Sequence, residues 1–200
     1  MPDFGITKKS RAVVVTAYQP HWVDDFTQIA RRIRDLVGHA AVRIDHIGST
    51  AVPGLGAKDV IDIQITVSDL DAAGLTNPLR DAGFREGTAF QYDVFHNKPE
   101  ADPELRKLFV REPEGERRAH IHIRELRRFN QRYALLFRDY LRASEDVRTE
   151  YDLFKRRVAQ LFPESIERYL FLKDPIEHII YEAASLWAEK VRWNPDEDYV

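Results

Sequence analysis

The sequence predicts an α+β fold, and three observations carry that prediction. Residues 60–67 alternate between β-branched and polar side chains, the period of a strand with one apolar face. Ahead of them, from Trp22 to Val37, apolar residues recur at helical spacing. Beyond Leu126 the strand pattern stops and broad apolar helix faces take over. No linker composition separates the two parts. The 200 residues therefore read as one domain, 1–200, with a mixed α/β half at about 12–124 and a helical half at about 125–193.

The elements follow in order. Val13–Val15 is β-branched and opens a short strand that Tyr18-Gln19-Pro20 stops. Phe26, Ile29, Ala30, Ile33, Leu36 and Val37 line one face of a helix, and Gly38 ends it. Val42–Ile47 is a strand with Val42, Ile44 and His46 on one face and Arg43, Asp45 and Ile47 on the other. Residues 48–58, rich in glycine and short polar side chains, form a loop. In the strand 60–67, Ile61, Ile63, Ile65 and Val67 face the core, which puts Val60, Asp62, Gln64 and Thr66 on the opposite face. Residues 69–82 read as a helix interrupted near Asn77-Pro78. Strands follow at 84–96, 105–111 and 119–124. Helices follow from Leu126, from Ser144 to Phe162 (Pro163 ends it), and from Glu164 to Arg192, with a break expected at Asp174-Pro175. The tail 194–200 is expected to fray.

Composition limits the function. The net charge of -3 draws the chain to neither nucleic acid nor an anionic membrane. There is no cysteine, which excludes disulfides, thiolate metal sites and a cysteine nucleophile. No run approaches the roughly 20 apolar residues that span a bilayer. A cytoplasmic protein is expected, and the sequence leaves its oligomeric state open.

The chemistry concentrates where a strand ending at Ile47 runs into Gly48-Ser49-Thr50, with Asp62 on the next strand. Glycine lets the backbone approach a phosphate, and hydroxyls and N–H groups hold the anion. An acid on the adjacent strand can hold a divalent metal that bridges to the same phosphates. A Gly-Ser loop and a lone aspartate are also common structural features. Against that, an aspartate opposite four aliphatic residues needs polar surroundings. The loop lacks the spacing of a P-loop, and nothing near Ser49 resembles a nucleophile elbow.

The run from His46 through Ile63, HIGSTAVPGLGAKDVIDI, resembles the signature of the GrpB family, and the resemblance continues in Phe137–Arg142, Tyr151, Lys155, Tyr169 and Lys173. It covers nearly the whole chain from about Tyr18. It implies a nucleotidyltransferase-like mixed β-sheet with packed helices and a C-terminal helical half. That superfamily's pattern is a Gly-Gly/Ser turn followed by two acids flanking one apolar residue. Gly48, Ser49 and Asp62 match, whereas the second acid is replaced by Gln64. Side chains two apart on a strand share a face about 7 Å apart, so Gln64 occupies the partner ligand position without its charge.

The implied activity is metal-dependent transfer of a nucleotidyl group from a nucleoside triphosphate to an unidentified acceptor. In that reading Gly48, Ser49 and Thr50 hold phosphate, and Asp62 binds a divalent metal, Mg or Mn, helped by Gln64 and His122. Lys58, Arg138 and Arg142 neutralise transition-state charge. Lys155, Tyr169 and Lys173 join them, because Arg138/Arg142, Tyr151/Lys155 and Tyr169/Lys173 each sit four apart on a helix face. Solvated faces and intrahelical pairs account for the same spacings. His120 and His122 share a strand face. They either complete the metal site, in which case Mn, Zn or Ni suits it better than Mg, or hydrogen-bond locally. His46 is a further candidate, and Asp45 is left out. The alternative function is a catalytically degenerate module that binds a nucleotide or other phosphorylated small molecule. Segments of the family also occur joined to dephospho-CoA kinase, which implies an accessory role. A phosphohydrolase is a third option.

Overall fold

The computed structural model describes residues 10–87 and 91–195. Helix α1 (His21–Val37) leads into strand β1 (Arg43–Ile47). A turn of 3-10 helix at Ser49–Ala51 and an irregular loop then connect to β2 (Ile61–Val67). Short elements come next: α2 (Asn77–Asp81), β3 (Arg85–Glu86), β4 (Leu108–Arg111) and β5 (Ala119–Glu125). Three helices complete the chain: α3 (Phe129–Ala143), α4 (Glu145–Leu161) and α5 (Ile166–Val191).

The five strands form one mixed sheet in the order β1-β2-β5-β4-β3. β2 pairs antiparallel with β1 and parallel with β5, and β5 pairs antiparallel with β4. The parallel pair requires a long crossover, which contains α2, β3 and β4. The apolar stripe Ile61, Ile63 and Ile65 faces α1 and is almost wholly excluded from water, as are Ile121 and Ile123 of β5. Each such side chain contributes about 1.5–3 kcal/mol by leaving water. Trp22 of α1 joins this core, and its indole N–H donates to Asp59 Oδ1 at 2.7 Å. The opposite face of the sheet is polar, and α3 packs against its β1 and β5 strands.

Several elements differ from expectation. Val13–Val15 is not a strand; the segment makes a single bridge, Thr16 to Ala57. The helix expected at 69–82 shrinks to 77–81, because Pro78 suits only the first turn and residues 69–76 are turns. The strand expected at 84–96 survives only at 85–86; residues 88–90 of it lie outside the described residues, and Tyr92 makes an isolated bridge to Arg106. The expected break at Asp174-Pro175 does not occur, and α5 runs 26 residues through Pro175. Of the tail expected to fray, 196–200 lie outside the described residues. Among the described residues, no helix is long and apolar enough to cross a membrane.

Candidate functional site

Register builds the site. Asp62 on β2 is the partner of His120 on β5, and His120 is in turn the partner of Arg111 on β4. Asp62, His120 and Arg111 therefore form one row across three strands on the polar face. Asp62 remains 31% exposed at its side chain and pairs with His120 Nδ1 at 3.3 Å. Burial works to raise the Asp62 pKa, but the hydrogen bond and charge of His120, with Lys58 nearby, bring it down to about 2. The carboxylate is thus ionised at neutral pH.

Gly48 packs directly over Asp62. Its φ is +70°, a conformation glycine adopts without strain, and a Cβ there would come within 2.5 Å of Asp62 Oδ2. Only glycine lets the loop descend this far onto the carboxylate.

The helical half holds the loop by its main chain. Arg138 of α3 donates from Nη1 to His46 O at 3.0 Å, just before the loop, and from Nε to Asp139 Oδ1 at 2.6 Å. Arg142 donates from Nε and Nη2 to Ala51 O at 3.0 and 2.9 Å, just after the turn. Lys155 of α4 donates to Gly56 O at 2.5 Å and to Ser49 Oγ at 3.0 Å. Through these contacts Arg138 and Arg142 position the main chain on either side of the loop. Thr50 is also turned inward: its hydroxyl donates to Val60 O at 3.3 Å and meets His46 Nε2 at 3.0 Å.

Lys155, which contacts Ser49, is electrostatically coupled to Lys173, and Lys173 in turn to Lys58. Lys155 is buried, and burial followed by the charge of Lys173 lowers its pKa to about 7. Lys58 is brought down to about 8, again by burial and then by Lys173. Its ammonium lies 5.3 Å from the centre of the Tyr169 ring. Lys173 pairs with Glu177 at 2.6 Å, and Glu177 also accepts from Tyr151 OH at 2.7 Å. The helical positions singled out by their spacing, Tyr151/Lys155 and Tyr169/Lys173, do meet Lys58 and Ser49 in one place. Lys155 donates to Ser49 Oγ, so the serine hydroxyl keeps its own proton to donate.

The remaining polar side chains of the sheet are committed elsewhere. Gln64 accepts from Arg124 Nη1 at 2.7 Å and donates to Gln131 O at 3.1 Å. His122 receives Lys107 Nζ at Nδ1, 3.2 Å away, so the proton of the neutral ring sits on Nε2. Burial, then Lys107 and Arg124, hold its pKa well below the usual histidine value. Asp93 binds Lys107, Arg124 and Asn130 Nδ2, and the charges of Arg124 and Lys107 outweigh burial and keep it below the ordinary carboxylate range. Asp45 lies on the Asp62 face but is held by two bonds from Arg43, at 2.7 and 2.5 Å. His46 points the other way, stacks on Phe26 with ring centres 4.7 Å apart, and is lowered to about 4, mainly by burial.

This donor set does not fit a two-metal centre. Such a centre needs bridging carboxylates. Here Asp62 has no second carboxylate beside it on its strand face: Gln64 takes that place and is bound by Arg124, and His122 Nδ1 meets Lys107. Among the described residues, no group of three or more histidine, aspartate or glutamate side chains is arranged to hold a metal ion.

Sequence reasoning misses Asp93, Lys107 and Arg124, and also Arg111 and Arg118. The strand alternation Arg118-His120-His122-Arg124 is the signal that places two of them on the site's face.

Comparison with known proteins fits this architecture. A sequence model of the family described as GrpB protein matches residues 12–182. The chain belongs to the GrpB family. It is similar to a crystal structure of the conserved protein GrpB from Enterococcus faecalis, with a TM-score of 0.71 and 27% identity over 87% of this chain and 99% of that one. The nucleotidyltransferase-like mixed sheet with its helical C-terminal half is thus the family's fold. The chain is 31% identical to a UPF0157 protein of Halalkalibacterium halodurans, covering 87% of this chain and 83% of that protein. It is 38% identical to a protein of Mycolicibacterium paratuberculosis named dephospho-CoA kinase, over 88% of this chain and 47% of the relative. This GrpB-family chain therefore spans about half the length of the kinase relatives it matches.

Proposed function

We propose that this chain binds a nucleotide or other phosphorylated small molecule between the Gly48-Ser49 loop, Lys58 and Lys173, and that it acts as a binding module. One observation carries this reading. Lys155 donates to Ser49 Oγ and Lys173 lies near enough to depress both Lys155 and Lys58, while Gln64, Asp45 and Asp93 are each tied to an arginine. Lysines with pKa values lowered by burial and mutual repulsion gain most from an arriving anion. Outward from Lys155, the Ser49 hydroxyl supplies a neutral donor to the same oxygens. The kinase name belongs to relatives about twice as long. This chain has no Gly-x-x-x-x-Gly-Lys-Ser/Thr loop, so we assign it ligand binding and not a kinase reaction.

Thermal melting with AMP, ADP, ATP and inorganic phosphate, in EDTA and then in Mg²⁺ or Mn²⁺, tests the reading. Stabilisation in EDTA that is weakened by Lys58→Gln and retained in Asp62→Ala is the expected result. A folded protein stabilised by none of these compounds would sink it.

The second reading is metal-dependent nucleotidyl transfer to an unidentified acceptor. The observation in its favour is Asp62, an ionised carboxylate open to the cleft beneath the Gly48 loop. Label transfer from a nucleoside triphosphate that requires Mg²⁺ or Mn²⁺ and is abolished in Asp62→Ala would favour it over binding alone.

A further inference from the structure

The open end of the polar sheet face carries a second set of cations, which the phosphate cleft does not use. Arg118 stands two residues before His120, so strand alternation puts both on the same face, with Arg118 one pleat further out. Its carbonyl accepts from Ile61 N–H at 3.1 Å, which fixes it beside the start of β2. Arg111 is the register partner of His120 on β4.

Arg11 reaches the same end from the N-terminal segment. That segment is tied down by Ser10 N–H to Glu164 O at 2.8 Å, Val13 N–H to Pro163 O at 2.9 Å and the Thr16–Ala57 bridge.

These cations are poorly matched by acids. Among the described residues, neither Arg11 nor Arg118 has an ion pair or hydrogen-bond partner for its guanidinium, and both are exposed. Arg111 shares Glu112 with Arg85, at 3.2 and 2.6 Å, and its Nε is buried without a partner. Arg118 is depressed below the usual arginine value, by burial and then by Arg11 and Arg111, which together outweigh the opposing charges of Glu112 and Asp62. Lys58 lies just ahead of β2, whose first residue binds the Arg118 carbonyl, and it feels the charges of Lys173, Arg118 and Arg11, so it is coupled to both groups of cations. Gathering like charges costs energy unless an anion joins them, and a cleft lined by one sign of charge concentrates the opposite one.

Resting on the reading that the cleft binds phosphate, we propose that Arg11, Arg111 and Arg118 form a second anion subsite, joined to the Ser49 cleft across Lys58, and that the ligand is a linear triphosphate such as a nucleoside triphosphate. Strands β2 and β4 flank β5 and lie about 10 Å apart, so Lys58, just ahead of β2, and Arg111 on β4 stand further apart than one phosphate group can bridge. Arginine forks suit the terminal phosphates of such a chain, whose oxygens they can grip in pairs.

Titration calorimetry of the whole chain in EDTA with phosphate, pyrophosphate and tripolyphosphate tests this directly. Tripolyphosphate should bind at least about tenfold more tightly than phosphate, and ATP more tightly than AMP by a similar factor. The Arg111→Gln/Arg118→Gln pair should erase that gain and leave phosphate affinity within about twofold. Should Arg111→Gln impair folding, Arg11→Gln/Arg118→Gln, both at exposed positions, serves instead. Equal affinity for phosphate and tripolyphosphate, or a gain that survives in the variants, overturns the subsite and leaves the Ser49 cleft standing. Binding of none of these anions by the unaltered protein overturns both.

Discussion

Gly48 lies against the carboxylate of Asp62 so closely that a Cβ on Gly48 would meet Asp62 Oδ2 at 2.5 Å and Asp62 Cβ at 2.9 Å. The contact joins the end of β1 to the start of β2. It also makes Asp62 the floor of the loop, so the two residues cannot be altered independently.

Gly48→Ala should therefore cost more than backbone strain alone. A residue other than glycine at positive φ costs about 1–3 kcal/mol, and the clash adds to that. Gly38 supplies the control: its φ is +52° and nothing lies within 4 Å of its added Cβ. In urea unfolding, Gly48→Ala should lose clearly more stability than Gly38→Ala. Equal losses would mean that the loop shifts freely away from Asp62.

Two pH trends should run in opposite directions. Lys155 and Lys58 have folded pKa values of about 7 and 8, below the ordinary lysine value. Between those values and about 10.4 the unfolded chain binds more protons, so their contribution to the stability of the free protein rises with pH. Anion affinity should fall over the lower part of that range, as both lysines become neutral. Melting curves from pH 6 to pH 9, with and without pyrophosphate, would show both trends. A ligand-induced shift that does not change with pH would show that these lysines do not hold the anion. Lys155→Met should lose most of the shift even at pH 6, because the orientation of Ser49 goes with it.

Gln64→Glu restores the acid of the superfamily pattern but should not create a metal site. The new carboxylate would be taken by Arg124, as the amide oxygen is now at 2.7 Å. The bond from Nε2 to Gln131 O would be lost, leaving two acceptors face to face at a cost of about 1–3 kcal/mol. Calorimetric titration with Mn²⁺ should show no gain over the unaltered protein. A new Mn²⁺ site that needs both the introduced carboxylate and Asp62 would contradict this account.

Asp93→Ala should be among the most damaging single changes on the polar face. It leaves Lys107 and Arg124 buried without their carboxylate, which costs about 3–5 kcal/mol. The folded pKa of Asp93 is depressed, so its stabilisation is present above the unfolded value near 4 and is lost as pH falls below it. His46 adds an acid loss of its own. With a folded value of about 4 against 6.5 unfolded, stability falls as pH drops through that interval. Acid unfolding should therefore begin below about pH 6.5, and Asp93→Ala should flatten only the part below about pH 4.

The elements with strong periodicity were legible in the chain. The alternation Ile61-Asp62-Ile63-Gln64-Ile65 dictates β2 and its two faces, and the apolar stripe from Phe26 to Val37 dictates α1. Both patterns are local, because a side chain's face depends only on its place in the repeat. Local signals misled where context outweighed them. Val13–Val15 has strand residues but finds only one bridge partner, and Pro175 is carried inside a long helix whose Tyr181, Ala184 and Ala188 are packed into the core.

The sequence alone determined the family motif, the polar face bearing Asp62 and Gln64, and the helical pairs Tyr151/Lys155 and Tyr169/Lys173. Tertiary structure decided which polar groups are left for a ligand. Arg138 and Arg142 bind the main chain at His46 and Ala51, contacts that no spacing in the sequence announces. Asp45, Asp93 and Gln64 are each claimed by an arginine, two of them by Arg124, which is 31 and 60 residues away in sequence. Such pairings depend on strand order and on which buried charge must be neutralised, and neither is written in any local repeat. The same folding brings Lys155 of α4 onto Ser49 from 106 residues further along the chain, and sets His120 beside Asp62 across β2 and β5.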